Sequence, residues 1–188
     1  MLKINQLVII AGTACVGKTT LIKKIRHGDC NGLCEQLGIE NPFMALLRSE
    51  LSQIRQPIVE RLVLHYDFSG KDSRNGEYRE LCELISKSDN VTILTLCTSN
   101  KILSQRITLR LRQVFHRRCP HPRRDIFILW KKRRVFRDIF KVVALYKRWF
   151  KFVNGINVTD HLLVDTTKPS IAKAYSFEMD EVKRILMN

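Results

Sequence analysis

No run of 18 or more apolar residues occurs in this 188-residue chain, so no stretch has the length and hydrophobicity of a transmembrane helix. Lys3 ahead of an apolar run gives the start a faint look of a secretion signal. That run is short and passes straight into a Gly-Lys-Thr element, which argues against the signal reading. Paired-cysteine spacing is also missing. Cys30 and Cys34 with His27, or Cys119 with His116 and His121, do not make a zinc finger, and no Cys/His metal site is expected. Without a signal, the six cysteines (Cys15, Cys30, Cys34, Cys82, Cys97 and Cys119) read as free thiols of a reducing cytoplasm. Repeats and low-complexity tracts are absent too.

Acid is nearly missing from one block. From Lys101 to Lys151 there are 17 Lys and Arg but only Asp125 and Asp138, while the rest of the chain is balanced. The whole net charge of +15 therefore sits in about a quarter of the sequence. Such a block points to an anionic partner: nucleotide, polyanion, nucleic acid or acidic membrane.

What is present alternates. Residues 6–11 (QLVIIA) read as a buried strand and 17–27 as a helix ending at Gly28. Residues 28–42 read as loop and 43–55 as a helix with Phe43, Leu46, Leu47, Leu51 and Ile54 on one face. Residues 58–66 read as a second strand ending at Asp67, 77–87 as a helix, 91–97 as a third strand, 161–165 as a fourth, and 170–187 as a closing helix. Alternating strands and helices predict an α/β fold in three layers around a mainly parallel sheet. The 6–11 strand is expected between the 58–66 and 91–97 strands. The chain reads as one domain, 1–188, in which 100–155 is a basic, helical, lid-like insertion. Its first helix carries Leu103, Ile107, Leu111, Val114 and Phe115 at helical spacing and breaks at Cys119-Pro120-His121-Pro122. Its second covers roughly 126–153, with Val135, Phe136, Ile139, Phe140, Val143, Tyr146 and Phe150 on the apolar side.

Residues 12–19, GTACVGKT, match G-x-x-x-x-G-K-[ST] at every fixed position. Gly12 and Gly17 permit backbone angles and close approaches that a Cβ blocks. The N–H groups of Gly12, Thr13, Ala14, Cys15, Val16, Gly17, Lys18, Thr19 and Thr20 can then surround phosphate at the positive end of a helix. Lys18 can reach β- and γ-phosphates, and the Thr19 hydroxyl can ligate Mg²⁺. On this motif, between a strand and a helix, the chain resembles the P-loop nucleoside-triphosphatase superfamily. The resemblance is carried by residues 6–27, and by element order beyond them.

That resemblance implies Mg²⁺ and ATP as ligands, with Asp67 at the end of a neighbouring strand as the second magnesium residue and as a contact for an acceptor hydroxyl. The stretch VTILTLCTSNKILSQRITLRLR is similar to small P-loop kinases such as the shikimate, gluconate and nucleoside monophosphate kinases. There a strand leads into a helix and lid whose arginines clamp the transferring phosphoryl group, which implies Arg106 and Arg110 here. Asn100-Lys101 begins the guanine-reading N-K-x-D pattern, but Leu103 replaces its Asp, so GTP specificity is not expected. The implied activity is Mg²⁺-ATP-dependent phosphoryl transfer to an anionic or hydroxyl-bearing small acceptor, saccharide-like among others, with the catalytic set Lys18, Asp67, Arg106 and Arg110. Residues 28–57 and 68–76 would shape the acceptor pocket, with Arg48, Arg55, Arg61 and Arg74 as its cations.

Two alternatives stay open. Sulfotransferases share this loop-and-sheet plan, and the aromatic-basic Tyr146-Lys147-Arg148-Trp149-Phe150 suits them, though their loop usually lacks Gly-Lys-Thr. The other is a nucleotide-regulated module whose 101–151 block binds polyanion, with Trp130 or Trp149 stacking on bases, or lies on an anionic membrane as a peripheral helix.

Overall fold

Lys3–Gly12 form β1, and from Leu7 to Ala11 every side chain is fully buried. An unbroken buried run, rather than alternation, marks a strand covered on both faces. The structure is a computed structural model that describes residues 3–27, 44–47, 54, 58–69, 78–118, 141–167, 173–176 and 178–188. β3 (Ile58–Asp67) and β4 (Ser88–Cys97) flank β1, both parallel to it, with Leu7 opposite Leu62 on one side and Val91 on the other. The 6–11 strand is therefore where its sequence puts it.

Among the described residues, three further strands extend the sheet. β2 (Met44–Leu47) lies parallel on the outer edge of β3, β5 (Asp160–Asp165) parallel on β4, and β6 (Lys173–Ser176) antiparallel on β5. The order is β2-β3-β1-β4-β5-β6. The fold is thus α/β on a mainly parallel sheet. β2 replaces the start of the helix expected over 43–55. Its apolar run fits either period, and the open N–H and C=O groups along β3 decide for strand. β6 likewise takes the start of the expected 170–187 helix, because β5 offers it an edge, and the closing helix is shortened to α5 (Met179–Met187).

The helices fill in around the sheet. α1 (Lys18–Arg26) lies against β1, β2 and β3 and buries Ile22 and Ile25. α2 (Arg79–Ser86) touches β4 and buries Leu81. α3 (Asn100–Arg118) begins where the backbone N–H of Ile102 reaches Ser99 Oγ at 3.4 Å, and it buries Leu103 and Ile107. Its side chains at 111, 112 and 114–118 lie outside the described residues.

α4 (Val142–Val153) is the described part of the helix expected over 126–153, whose residues 126–140 lie outside the described set. Its buried face is Val142, Leu145, Tyr146, Trp149 and Val153, while Val143 and Phe150 are only half-buried. The apolar stripe is thus rotated from the expected one toward Trp149. α4 packs beside α5, and its Tyr146 and Trp149 reach the β3 and β4 strands of the sheet. Trp149 stacks on Tyr66 and Phe68 and meets Tyr78 edge-on, and Tyr78 stacks on Phe152. Tyr78 holds a left-handed φ of 38°, a strained value for a bulky residue, inside this aromatic packing.

Candidate functional site

The strand ends set the site. Gly12, the last residue of β1, lies in register with Asp67, the last residue of β3. The chain then turns through residues 13–17 into α1 at Lys18. Open parallel sheets bind ligands beyond these carboxyl ends.

The loop's backbone requires its glycines. Gly17 has φ 104°, and Cys15 is left-handed as well at φ 66°. A Cβ on Gly12 would sit 2.6 Å from Val16 Cγ2 and 3.1 Å from the Leu96 carbonyl oxygen, so the loop closes tightly over β4. Left-handed residues within a short turn bring successive N–H groups to one side, forming an anion-binding concavity. α1 starts from Gly17 with no side-chain cap and no acid in its first turn, so its positive end has no anionic side chain of its own. The hydroxyl of Thr13 is buried beside the Tyr146 hydroxyl.

Lys18 is buried. Its ammonium donates to the carbonyls of Gly12, at 2.8 Å, and Thr13. It lies 3.6 Å from a carboxylate oxygen of Asp67, whose side chain is 38% exposed. Burial lowers the Lys18 pKa below the usual lysine value, and the Asp67 charge opposes that shift only in part. The other oxygen of Asp67 accepts from the backbone N–H of Ser69 at 2.9 Å and from its hydroxyl at 2.5 Å. Those bonds orient the carboxylate, and the Asp-x-Ser spacing is a turn signature. His65, two residues earlier on β3, has its pKa lowered by burial and then by the Lys18 charge, which favours its neutral form.

Both candidate arginines reach the loop. Arg106 on α3 donates to the Thr166 carbonyl at 2.6 Å and to the Val16 carbonyl at 3.4 Å. Thr166 itself, just past β5, donates its hydroxyl to Val16 O at 2.7 Å. Arg106 and Thr166 together tie the loop to the end of the sheet. Nothing in the local sequence marks Thr166, because its partner is 150 residues away. Arg110, one turn further along α3, is exposed and points a guanidinium nitrogen at Cys15 Sγ, 3.7 Å away.

Ala14 and Cys15 are half-buried, Val16 is buried, and Thr19 and Thr20 are exposed in the first turn of α1. The structure therefore brings Lys18, Asp67, Arg106 and Arg110 to one end of the sheet. Arg61 is not there. It sits six residues before Asp67, about 20 Å along the strand, in a polar groove with Asn5, Gln6, Glu60, Asn90 and Asp160. Arg48, Arg55, Arg74, Cys30, Cys34, Cys119, His121 and Trp130 lie outside the described residues. Trp149 is fully buried, so of the two rings the sequence offered for stacking on a base, Trp130 or Trp149, this one is unavailable.

The aromatic helix is bonded to the same region. Tyr146 donates its hydroxyl to the Leu96 carbonyl at 2.6 Å, and Trp149 donates its indole N–H to Thr95 Oγ1 at 2.8 Å. Thr95 also shares a hydrogen bond with His161 Nε2, whose pKa burial pushes down to about 4. Burial raises the Cys97 thiol to about 12, so it is chemically inert at neutral pH. No helix among the described residues is long and apolar enough to cross a membrane, and no group of three or more His, Cys, Asp or Glu among them is arranged to hold a metal ion. No family model matches the chain, and no curated protein matches it.

Proposed function

We propose that this chain is a P-loop nucleotide-binding protein that uses Mg²⁺-ATP to phosphorylate a small, hydroxyl-bearing acceptor. The observation that carries the reading is the meeting of Lys18 and Asp67, 3.6 Å apart, at a loop with left-handed backbone at Cys15 and Gly17. A buried ammonium held by two loop carbonyls and one carboxylate exchanges those partners readily for phosphate oxygens, which carry more charge. The uncapped, acid-free start of α1 fits the same ligand.

The donor set fits magnesium as a guest of the nucleotide rather than as a resident ion. Thr19 and Asp67 offer two hard oxygens, too few for a protein-only site but usual where phosphate and water supply the rest. Bound there, Mg²⁺ would neutralise charge on the phosphate oxygens. Lys18 and the loop N–H groups would hold the phosphates in line. Asp67, fixed by Ser69, would orient the acceptor hydroxyl and take its proton. Arg110, exposed beside Cys15, would face the transferring group, while Arg106 holds the loop in shape from behind. In this reading α3 supplies the lid-like part of the 100–155 segment. The Lys18–Asp67 pair favours a metal-bound triphosphate over a phosphosulfate donor, which has no use for the carboxylate.

The test is thermal stability of wild type and Lys18→Ala with ATP, GTP and 3′-phosphorylated nucleotide, with and without Mg²⁺. At about 100 times its dissociation constant, a ligand of the folded state adds about 2.7 kcal/mol. The expected result is a Mg²⁺-dependent ATP shift that disappears in Lys18→Ala. A shift with only the 3′-phosphorylated nucleotide and no need for Mg²⁺, or no shift with any of them, defeats the proposal.

A further inference from the structure

The outer face of α4 has no part in the site just described. Its exposed positions are Lys141, Ala144, Lys147, Arg148 and Lys151. At 100° per residue these fall within one third of the helix circumference, on the side away from Val142, Leu145, Trp149 and Val153. The row is about 15 Å long, from the helix rise over ten residues. No acid occurs in the helix VVALYKRWFKFV. Among the described residues, no ion pair joins Lys141, Lys147 or Lys151 to a carboxylate. Arg148 lies near Tyr78, so the middle of the row is set against the aromatic cluster.

We infer that this row is a docking surface for double-stranded nucleic acid, bound through its phosphates and without reading of bases. Charge complementarity gives the class of partner, and the helix's packing selects among polyanions. A membrane-surface helix inserts its apolar face into lipid. In α4 that face is already spent on the sheet and the aromatic cluster, with Tyr146 and Trp149 fully buried. The large apolar side chains exposed among the described residues are Ile58, Leu109 and Met187, none of them on α4. Nothing on this face can anchor in a bilayer. Base stacking by Trp149 is excluded for the same reason, since its ring is fully buried. What remains is a narrow line of cations, and its shape suits a linear polyanion better than a plane of headgroups. A duplex presents one charge per about 1.7 Å of axis, so several phosphates lie along the row. The inference does not depend on the proposed phosphotransfer.

The experiment is fluorescence anisotropy of a short labelled DNA duplex with the full chain, at several salt concentrations. Three to four phosphate contacts predict that wild-type affinity falls about 40- to 150-fold between about 50 mM and about 200 mM salt. Lys141→Glu/Lys147→Glu/Lys151→Glu is expected to abolish binding at the lower salt. The same three positions changed to Gln keep the helix end free of new acid, and are expected to cut the log–log salt slope by about 2.7. Ala144→Glu, at an exposed position, is expected to weaken binding without touching a lysine. The Gln variant decides the matter if the Glu variant fails to fold. An unchanged slope and affinity in the Gln variant overturns the inference. So does lysine-dependent binding to phosphatidylserine vesicles with no binding to duplex. The ATP-induced thermal shift, measured on the same variants, should be untouched. Its loss in wild type would defeat the proposed function and leave the duplex result standing.

Discussion

Lys18 and the lysines of α4 carry the same charge under opposite conditions. Lys18 is buried, held by two carbonyls, and faces one carboxylate at 3.6 Å. Lys141, Lys147 and Lys151 stand in solvent on a helix whose other side is filled with aromatic rings. A charge pair a few ångströms apart is several times stronger in the protein's effective dielectric than in water. One buried cation can therefore define a site, and it does so at fixed geometry with little dependence on salt. Exposed cations act only in number, and salt screens them within about 10 Å at 0.1 M. On the proposed function, the loop end of the molecule meets one ligand with a few strong contacts. On the inference drawn for α4, its outer face meets many charges weakly.

The comparison breaks first at the anchor of α4. Trp149 is fully buried, touches Tyr66, Phe68, Tyr78 and Phe152, and bonds Thr95. Trp149→Ala is expected to cost about 3–5 kcal/mol of folding stability, from lost burial and the cavity left behind. Urea denaturation measures it. A cost under about 1 kcal/mol would mean that α4 is held loosely, and the contrast between a fixed basic face and a fixed loop would fail.

The loop and the central strand were legible because their signals are local. Gly12 to Thr19 fix a backbone shape within eight residues, and Leu7 to Ala11 form an apolar run that suits one buried strand. β2 and β6 were not legible, because edge strands take their conformation from β3 and β5 rather than from their own four residues. The phase of α4 was legible only in part, with Tyr146 on its buried face but Trp149 left off it, because aromatic residues occur on several of its sides. Phe150 and Phe152 compete with Trp149 in the pattern, and only the sheet beneath decides which ring goes inward. Asp67 was singled out by its place at the end of a strand, and it lies beside Lys18. Ser69 and Thr166, which orient Asp67 and the loop, act through hydrogen bonds that no periodicity records.

Arg106 tests how rigid the loop must be. Its guanidinium joins Val16 and Thr166 through charge-assisted hydrogen bonds, each worth about 1.5–3 kcal/mol against an unpaired carbonyl. Arg106→Ala is expected to destabilise the protein by about that amount and to weaken ATP binding, read by calorimetry. Arg110→Ala, at an exposed side chain, should leave stability within about 0.5 kcal/mol and affect turnover instead. If the two variants behave alike, Arg106 is not a strut.

The finest test is pH, because the buried lysine and the exposed ones must answer it differently. Burial puts the Lys18 pKa below the usual 10.5 in the free folded protein. Raising the pH through that lowered value removes a proton from the folded state while the unfolded chain still holds it. Stability of the free protein should therefore rise with pH in the window up to 10.5. ATP needs the ammonium, so over the same window its affinity should fall, by up to tenfold per pH unit, about 1.4 kcal/mol. Opposite slopes for stability and affinity are the signature of one buried titrating lysine, and Lys18→Ala, which is expected to lose ATP binding, should flatten the stability slope. Calorimetric titration and urea denaturation from neutral pH upward read the two slopes. Parallel slopes would place the titrating group elsewhere and separate Lys18 from the phosphates it is proposed to hold.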